Sequence, residues 1–320
     1  MKQNIISVAP MMGWTDRHAR YFLRLLSKHV LLYTEMVTTG ALLQGDRDYH
    51  LRYHDNEHPL ALQLGGSEPA ALAACARIAE DYGYDEINLN VGCPSDRVQS
   101  GSFGACLMLE PDLVAECVAA MNQVVSIPVT VKCRTGVDKQ EDYESLAQFI
   151  ETVSQTGCSS FIVHARNAWL KGLSPKQNRE IPPLKYDYVY QIKRDFPTFF
   201  IAINGGIKDL DVAARHLQFI DSVMIGREAY QRPYLLADVD RKFYGINEPP
   251  VRREQVVEQM VAYIQEQQMQ GQNLHSITRH MLGLFSGRAG AKSWRRMISE
   301  NDHLDNADAS LLQKAASLIV

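Results

Sequence analysis

The chain is predicted to be an α/β protein, a (β/α)8 TIM barrel followed by a small C-terminal helical domain. Short apolar runs alternate with longer amphipathic runs eight times over about 240 residues, close to the usual size of such a barrel. After a cluster of Gly, Asn and Pro residues at 244–250, the pattern is helical only. A doubly wound sheet shares the alternation, but the count of eight favours the barrel.

The strands are predicted where short apolar runs lie between turn residues. In chain order they cover residues 5–9, 31–35, 60–64, 86–90, 129–132, 160–164, 199–204 and 222–225. The helices between them are predicted from apolar residues at helical spacing, at 68–82, 111–124, 141–156, 185–195 and 210–217. We expect a catalytic barrel at residues 1–245 and a helical domain at 251–320, with helices from Glu254 onward and at 276–285, 291–299 and 309–319.

Composition limits the function classes. The chain has 320 residues, 46% of them hydrophobic and 22% charged, and a formal net charge of −4, which argues against a uniformly basic coat for nucleic acid. Its six cysteines form no CxxC pair and no zinc spacing, so we expect reduced thiols, a cytoplasmic protein and no metal site. No signal peptide or membrane-spanning run is predicted.

Polar side chains stand at the ends of most predicted strands. Burying so many polar groups without partners would be costly, so we expect them to converge on one ligand site at the carboxyl end of the barrel. They are Glu35, Gln63, Asn88, Asn90, Cys93, Lys132, Arg134, His164, Arg166, Asn204 and Arg227.

Two glycine clusters follow the last two predicted strands. Asn204-Gly205-Gly206 and Gly226-Arg227 offer backbone N–H donors, close approach and one guanidinium, at the place where barrels often bind phosphate. The alternative is that these glycines only make turns.

Cys93 follows the alternating fourth strand and lies between Gly92 and Pro94. A thiol at a strand end can donate a proton or attack an electrophile, whereas a free cysteine elsewhere is usually a small core residue. Lys132 ends another apolar strand and would form a Schiff base or pair with an anionic cofactor ring. A flavin mononucleotide (FMN) needs a phosphate site, amide partners and such a cation together.

Several motifs resemble those of tRNA-dihydrouridine synthases over nearly the whole chain. The family motifs are APMMGWTD at 9–16, NVGCPS at 90–95 and VHAR at 163–166; the strings at 32–40, 174–184 and 279–281 resemble the bacterial A subfamily. Two departures are Gly13, where that subfamily usually has an acid, and Arg232, where asparagine is more common.

The resemblance implies a flavin enzyme that reduces the 5,6 double bond of uridines in the tRNA D-loop, at positions 20 and 20a in this subfamily. It implies tightly bound FMN, NADPH as a transient reductant, and Cys93 as general acid, since a free thiol is mostly protonated at neutral pH. The implied flavin residues are Pro10, Met11, Met12, Gln63, Lys132, His164, Asn204, Gly205, Gly206, Gly226 and Arg227. The implied tRNA residues are Asn90, Arg97, Arg134, Arg166, Lys176, Arg279, Lys292, Arg295 and Arg296.

The composition of the C-terminal helical domain, residues 251–320, which we call the tail, supports an RNA partner. Between 275 and 296 there are five Lys or Arg residues and no acid, and Trp294 would either stack on a base or pack inside. A basic helix face that is merely solvated is the alternative. We expect a monomer that binds tRNA and NADPH. The competing functions are a flavin dehydrogenase of a free pyrimidine, a Lys132 aldolase and an RNA-binding chaperone.

Overall fold

Eight parallel strands close into a barrel in the order of the chain, each hydrogen-bonded to the next and β8 to β1. The computed structural model describes residues 5–95, 98, 101–304 and 306–319. The strands are β1 (Ile6–Val8), β2 (Leu31–Thr38), β3 (Leu60–Gly65), β4 (Glu86–Asn90), β5 (Val129–Arg134), β6 (Ser160–His164), β7 (Phe200–Asn204) and β8 (Ser222–Ile225). The predicted TIM barrel with helices after it is confirmed.

The helices that surround and follow the barrel differ widely in length. They are α1 (Arg17–Leu26), α2 (Thr39–Gln44), α3 (Arg47–Leu51), α4 (Pro69–Asp81), α5 (Pro111–Asn122), α6 (Tyr143–Ser154), α7 (Tyr186–Asp195), α8 (Leu210–His216), α9 (Arg227–Gln231), α10 (Val239–Tyr244), α11 (Arg253–Met269), α12 (Leu274–Thr278), α13 (Ala291–Asn301) and α14 (Ser310–Ala316). Short 3-10 turns cover Asp55–Glu57, Gly104–Leu109, Gln177–Arg179 and Pro233–Asp238. Among the described residues, no helix is long and apolar enough to cross a membrane.

The interior of the barrel is partly polar. Side chains that alternate along each strand point inward, so an apolar set that includes Leu31, Ala61 and Met224 forms a small inner core. Beside it runs a hydrogen-bonded chain that we call the polar column. It consists of Asn90, Gln63, Asn88, Thr130, Glu86 and Tyr33.

Within the polar column each group finds a partner. The amide of Asn88 donates to Thr130 at 2.9 Å and accepts from Gln63 at 2.7 Å, and Asn88 is fully buried. The expectation that Asn88 faces the ligand site is therefore wrong. Its polarity is satisfied inside the barrel, which removes the cost of burial that suggested a ligand.

The tail packs on α1 through aromatic side chains. The ring of Tyr263, on α11, stacks on Tyr21 with centroids 3.9 Å apart, and its hydroxyl lies 2.8 Å from Nδ1 of His18. Trp294 is fully buried against Phe285, so of its two expected roles the structure shows packing.

The predicted helix at 276–285 is wrong in its extent, because α12 ends at Thr278 and turns follow. Gly283 lies against the carbonyl oxygen of Gln231, where a Cβ would come within 2.4 Å, and Gly287 and Gly290 have positive φ. Such backbone positions interrupt a regular helix.

Candidate active site

A cavity of about 1690 Å³ opens at the carboxyl ends of the strands. Its wall receives residues from the loops after β1, β2, β3, β4, β6, β7 and β8 and from the tail. This is the end at which barrel enzymes place their chemistry. The predicted residues in the wall are Pro10, Met11, Met12, Glu35, Gln63, Asn90, Cys93, Lys132, Arg134, His164, Asn204, Gly205, Gly206, Gly226, Arg227 and Arg279.

Cys93 lies half-buried in the cavity wall, on a loop fixed at both sides. The side-chain oxygen of Asn90 accepts hydrogen bonds from the backbone N–H of Gly92 (3.1 Å) and of Cys93 (3.0 Å). The carbonyl oxygen of Cys93 accepts from Ala105 at 2.9 Å. The thiol therefore faces the cavity from a backbone that is already hydrogen-bonded, which suits a group that must transfer a proton at a defined point.

Asn90 and Arg134, expected to contact the substrate, are used inside the protein. Asn90 also donates to Gln63, and Arg134 is 3% exposed. The guanidinium of Arg134 donates to the carbonyl oxygens of Gly92 (2.8 Å), Asn167 (3.3 Å) and Asn178 (2.9 Å). Both residues thus hold the Cys93 loop, and Arg134 also ties it to the segment after β6.

Lys132, His164 and Asn204 come from three adjacent strands and lie together in the wall. The ammonium of Lys132 donates to Oδ1 of Asn204 at 3.3 Å, and Nδ2 of Asn204 donates to the carbonyl oxygen of Met224 at 2.8 Å. Burial, with a smaller contribution from the charge of Arg134, lowers the pKa of Lys132 to about 8. Burial also lowers the pKa of His164 well below its ordinary value, with Arg134 and Lys132 adding to the shift, so the imidazole is neutral.

A glycine cradle follows β7. Gly206 has φ +72°, and a Cβ there would lie 2.4 Å from the hydroxyl of Tyr186. Gly205 has φ +109°, and its Cβ would lie 2.7 Å from the His164 ring. Both positions therefore require glycine, which leaves backbone exposed to a ligand at close range.

Arg227, beside the cradle, forms an ion pair with Glu180 at 2.5 Å, and both side chains are partly exposed. No pattern in the sequence predicted this carboxylate next to the expected phosphate site. Gly226 precedes Arg227 as the N-cap residue of α9 and lines the cavity. The first backbone N–H groups of a helix point toward its N-terminal end, which in α9 is the end at the cavity.

The two departures from the family motifs each have a structural role. Gly13 has φ +76°, a conformation that an acidic residue adopts with strain, and its N–H donates to the carboxylate of Glu35. Arg232 donates to Glu228 at 2.7 Å and to the carbonyl oxygen of Lys208 at 2.6 Å. It ties α9 to the loop after β7.

The other expected tRNA residues are spread more widely. Arg279 reaches the cavity but pairs with Asp16 at 2.5 Å, and Arg166 donates to the carbonyl oxygens of Glu180 and Pro182 rather than lining the cavity. Lys176 is exposed on the segment after β6. Lys292, Arg295 and Arg296 are exposed on α13, outside the cavity wall. Arg97 lies outside the described residues.

Several cavity residues were missed by sequence reasoning, four of them Arg or Tyr residues that could contact a ligand. Arg179 lies in the 174–184 string that carried the subfamily resemblance, so its position was available as a signal. Arg17, Tyr49 and Arg52 also line the cavity. They lie in or beside α1 and the short α3, which the apolar pattern did not reveal.

Comparison with known proteins gives a consistent picture. The model of the family described as dihydrouridine synthase matches residues 7–319. A Vibrio cholerae protein named tRNA-dihydrouridine(20/20a) synthase is 61% identical over 315 residues, covering 98% of this chain and 96% of its own. Proteins of the same name from Shewanella oneidensis (61% identical, 97% and 92% covered) and Escherichia coli K12 (62% identical, 98% and 91% covered) are similarly close.

Proposed function

Because the chain belongs to the dihydrouridine synthase family, we propose that it reduces the C5–C6 bond of uridines at positions 20 and 20a of the tRNA D-loop. We propose FMN as the bound cofactor and NADPH as the reductant. Residues 1–245 would form the catalytic barrel, and 251–320 would contact the tRNA. We expect a monomer in the cytoplasm, where tRNA and NADPH are both available.

The observation that supports this most directly is the placement of Cys93. The thiol lines the same cavity as Lys132, His164 and the glycine cradle, although it comes from a different strand end. A proton donor and a cationic, glycine-rich wall in one cavity suit a reaction that adds hydride and proton to one double bond.

The residues of the wall fit a flavin mononucleotide. Gly205 and Gly206 leave a cradle that a Cβ would fill, and Arg227 and the N-terminal end of α9 stand beside it as phosphate donors. Lys132, His164 and Asn204 would hold the ring, with Met11 and Met12 nearby. Gln63 lies in the same wall, and its amide is held by hydrogen bonds with Asn88 and Asn90. When bound, FMN would supply the hydride for C6 of uracil.

Each protein group then has a separate task. Lys132 keeps most of its positive charge at neutral pH and would offset negative charge on the reduced ring. Cys93 would deliver its proton to C5 of uracil. The target base must leave its stack to enter the cavity, as in other enzymes that modify bases.

The test is reduction of an unmodified tRNA transcript. Purified protein should show the visible absorbance of a flavin and, with NADPH, should form dihydrouridine at positions 20 and 20a, as mapped by chemical cleavage at dihydrouridine. The same sites should lose dihydrouridine in cells without the gene. Turnover of free uracil or orotate with no reaction on tRNA would show instead a dehydrogenase of free pyrimidines and would refute the proposal.

A further inference from the structure

We propose that one side of the cavity, between Arg17 and Arg52 and beside Tyr49, binds a phosphodiester group of the RNA strand next to the target uridine. We call this region the side lobe; its residues are Arg17, Tyr49, His50, Arg52 and Gln272. The proposal rests on the proposed function, because it assigns a further contact to the same substrate.

The side lobe is built from three parts of the chain. Arg17 begins α1, Tyr49 and His50 belong to α3, and Gln272 comes from the tail. All of them line the cavity that also contains Cys93. A strand of RNA that delivers a base to Cys93 would therefore pass within reach of these side chains.

The guanidinium of Arg17 lacks acceptors. Its Nη1 donates to Oε1 of Gln267 at 2.7 Å, but Nη2 is buried and has no hydrogen-bond partner among the described residues. A buried donor without an acceptor is unfavourable, and an anionic oxygen would satisfy it.

The carboxylates nearest to Arg17 are already engaged. Glu57 pairs with Arg20 at 2.6 Å, and Asp16 pairs with Arg279 and His280. Arg52 has no ion pair within the described part of the chain. Burial lowers the pKa of Arg17; Tyr263, Glu57 and Asp16 oppose this shift, and the positive charge of Arg52 adds to it. Both guanidiniums line the same cavity, so an anion bound beside them would be attracted by two positive charges.

Tyr49 indicates that the anion belongs to a nucleotide. The residue is 64% exposed, and the guanidinium of Arg52 lies 5.5 Å from the ring centroid. An exposed aromatic ring beside arginines is the usual means of binding single-stranded nucleic acid, through stacking and phosphate contacts. NADPH also contains phosphates and a base. RNA is favoured because the lobe is bounded by the tail, which carries the exposed cations of α13.

The experiment compares Arg52→Gln and Tyr49→Ala with Arg77→Gln, an exposed arginine of α4 outside this cavity. Binding of an unmodified tRNA transcript is measured by filter retention over a salt series. Arg52→Gln should weaken binding about tenfold at low salt and reduce the slope of log K against log salt by about 0.7, the value for one single-strand phosphate contact. Tyr49→Ala should weaken binding about fivefold or more with an unchanged slope.

Arg17→Lys and Arg17→Gln extend the test to the second cation. Because Arg17 also contacts Gln267, the glutamine variant can disturb the tail, whereas lysine keeps the charge and should lose less affinity than glutamine. Equal losses in the two variants would count against a role in binding an anion.

Two results would contradict the proposal that the side lobe binds RNA phosphate. One is an Arg52→Gln variant with the affinity and salt slope of Arg77→Gln. The other is an Arg52→Gln variant with normal tRNA binding but a raised KM for NADPH, which would assign the lobe to the dinucleotide. If the wild-type protein binds tRNA through Arg52 but does not reduce it, the proposed function is contradicted, whereas the proposed phosphate site in the side lobe is still supported.

Discussion

Single side chains in this barrel are held by partners from neighbouring strands and the loops that follow them. Cys93 owes its position to Asn90 and Arg134, and Arg134 in turn contacts the segment after β6. Glu86, at the other end of the polar column, accepts from Tyr33 at 2.5 Å and from Thr130 at 2.8 Å. Two predictions concern these residues.

Cys93→Ala should reduce the rate of uridine reduction by about 10²–10⁴-fold, because general acid catalysis contributes that much. Binding of tRNA should remain close to that of the wild type. Single-turnover reduction of a tRNA transcript measures the first quantity and filter retention the second. Cys106→Ala is the control, since the Cys106 thiol contacts the carbonyl oxygen of Phe103. A Cys93→Ala variant with normal turnover would exclude Cys93 as the acid.

Glu86→Gln should stabilise the protein more at pH 8 than at pH 5. Burial raises the pKa of Glu86 to about 7 in the folded chain, from 4.5. The folded state then binds more protons than the unfolded state between these pH values, so stability is lost as pH rises, by up to about 3 kcal/mol. Thermal unfolding of variant and wild type at both pH values gives the difference. A gain that is equal at pH 5 and pH 8 would contradict an ionising Glu86.

At the scale of elements, the N-terminal end of α1 connects the cavity to the tail through Asp16. Asp16 caps α1 by accepting from the backbone N–H of His18 and Ala19, both at 3.0 Å. Its other oxygen pairs with Arg279 and His280 of the tail. Burial by itself raises the pKa of Asp16, but its bond to His280 and the charge of Arg279 outweigh this and hold the pKa below its ordinary value.

Asp16→Asn and Asp16→Ala separate these two roles. Asparagine caps a helix well but removes the charge, so Asp16→Asn should cost about 1–3 kcal/mol of stability through the lost ion pairs. Asp16→Ala should cost about 1 kcal/mol more, the value of the cap. Urea unfolding measures both. Equal losses in the two variants would show that the cap contributes nothing measurable.

Gly206→Ala should yield protein with less bound flavin, because the added methyl group would fill the cradle and press on Tyr186. Gly245→Ala shares the positive φ but has open space around it, so it controls for the backbone cost. The ratio of flavin to protein absorbance after purification is the measurement. Equal flavin content in both variants would show that the FMN phosphate does not bind at the glycine cradle.

The strands were predicted to within a few residues because alternation of apolar side chains is a local property. The observed β2 runs three residues beyond the prediction, to Thr38. The short α2 and α3 were not predicted and α12 was predicted with the wrong bounds, since helices of this length are decided by packing and caps rather than by periodicity. For the same reason Tyr49 and Arg52 were missed, whereas Cys93, Lys132 and Asn204 followed from their strand ends.

For the whole molecule, the distribution of charge is more informative than its sum. The net charge is −4, yet Lys292, Arg295 and Arg296 are exposed together on α13. The sequence could predict this cluster, but it could not predict that Arg134, Arg166 and Arg279 are used by internal partners. Those partners lie on segments that meet only in the folded barrel.

Replacing Lys292, Arg295 and Arg296 together by glutamine should weaken tRNA binding and reduce the salt slope by up to about 3, if each residue contacts a phosphate. Thermal unfolding should change little, because all three side chains are exposed. Flavin content should stay the same, since these residues lie outside the cavity wall. An unchanged salt slope would show that this face of α13 does not contact the nucleic acid.

The ion pairs of Asp16 with Arg279 and His280 have a consequence for successive turnovers. The carboxylate ties the tail to the loop that carries Met11, Met12 and Trp14 into the cavity. Trp14 stacks on Tyr230 of α9 with centroids 4.4 Å apart, and the Tyr230 hydroxyl lies 3.1 Å from Nδ1 of His280 in the tail. The tail therefore cannot change its distance from the pocket without breaking these contacts. A transfer RNA with two adjacent targets would have to shift its own backbone by one nucleotide, or dissociate and rebind, before the second base could enter.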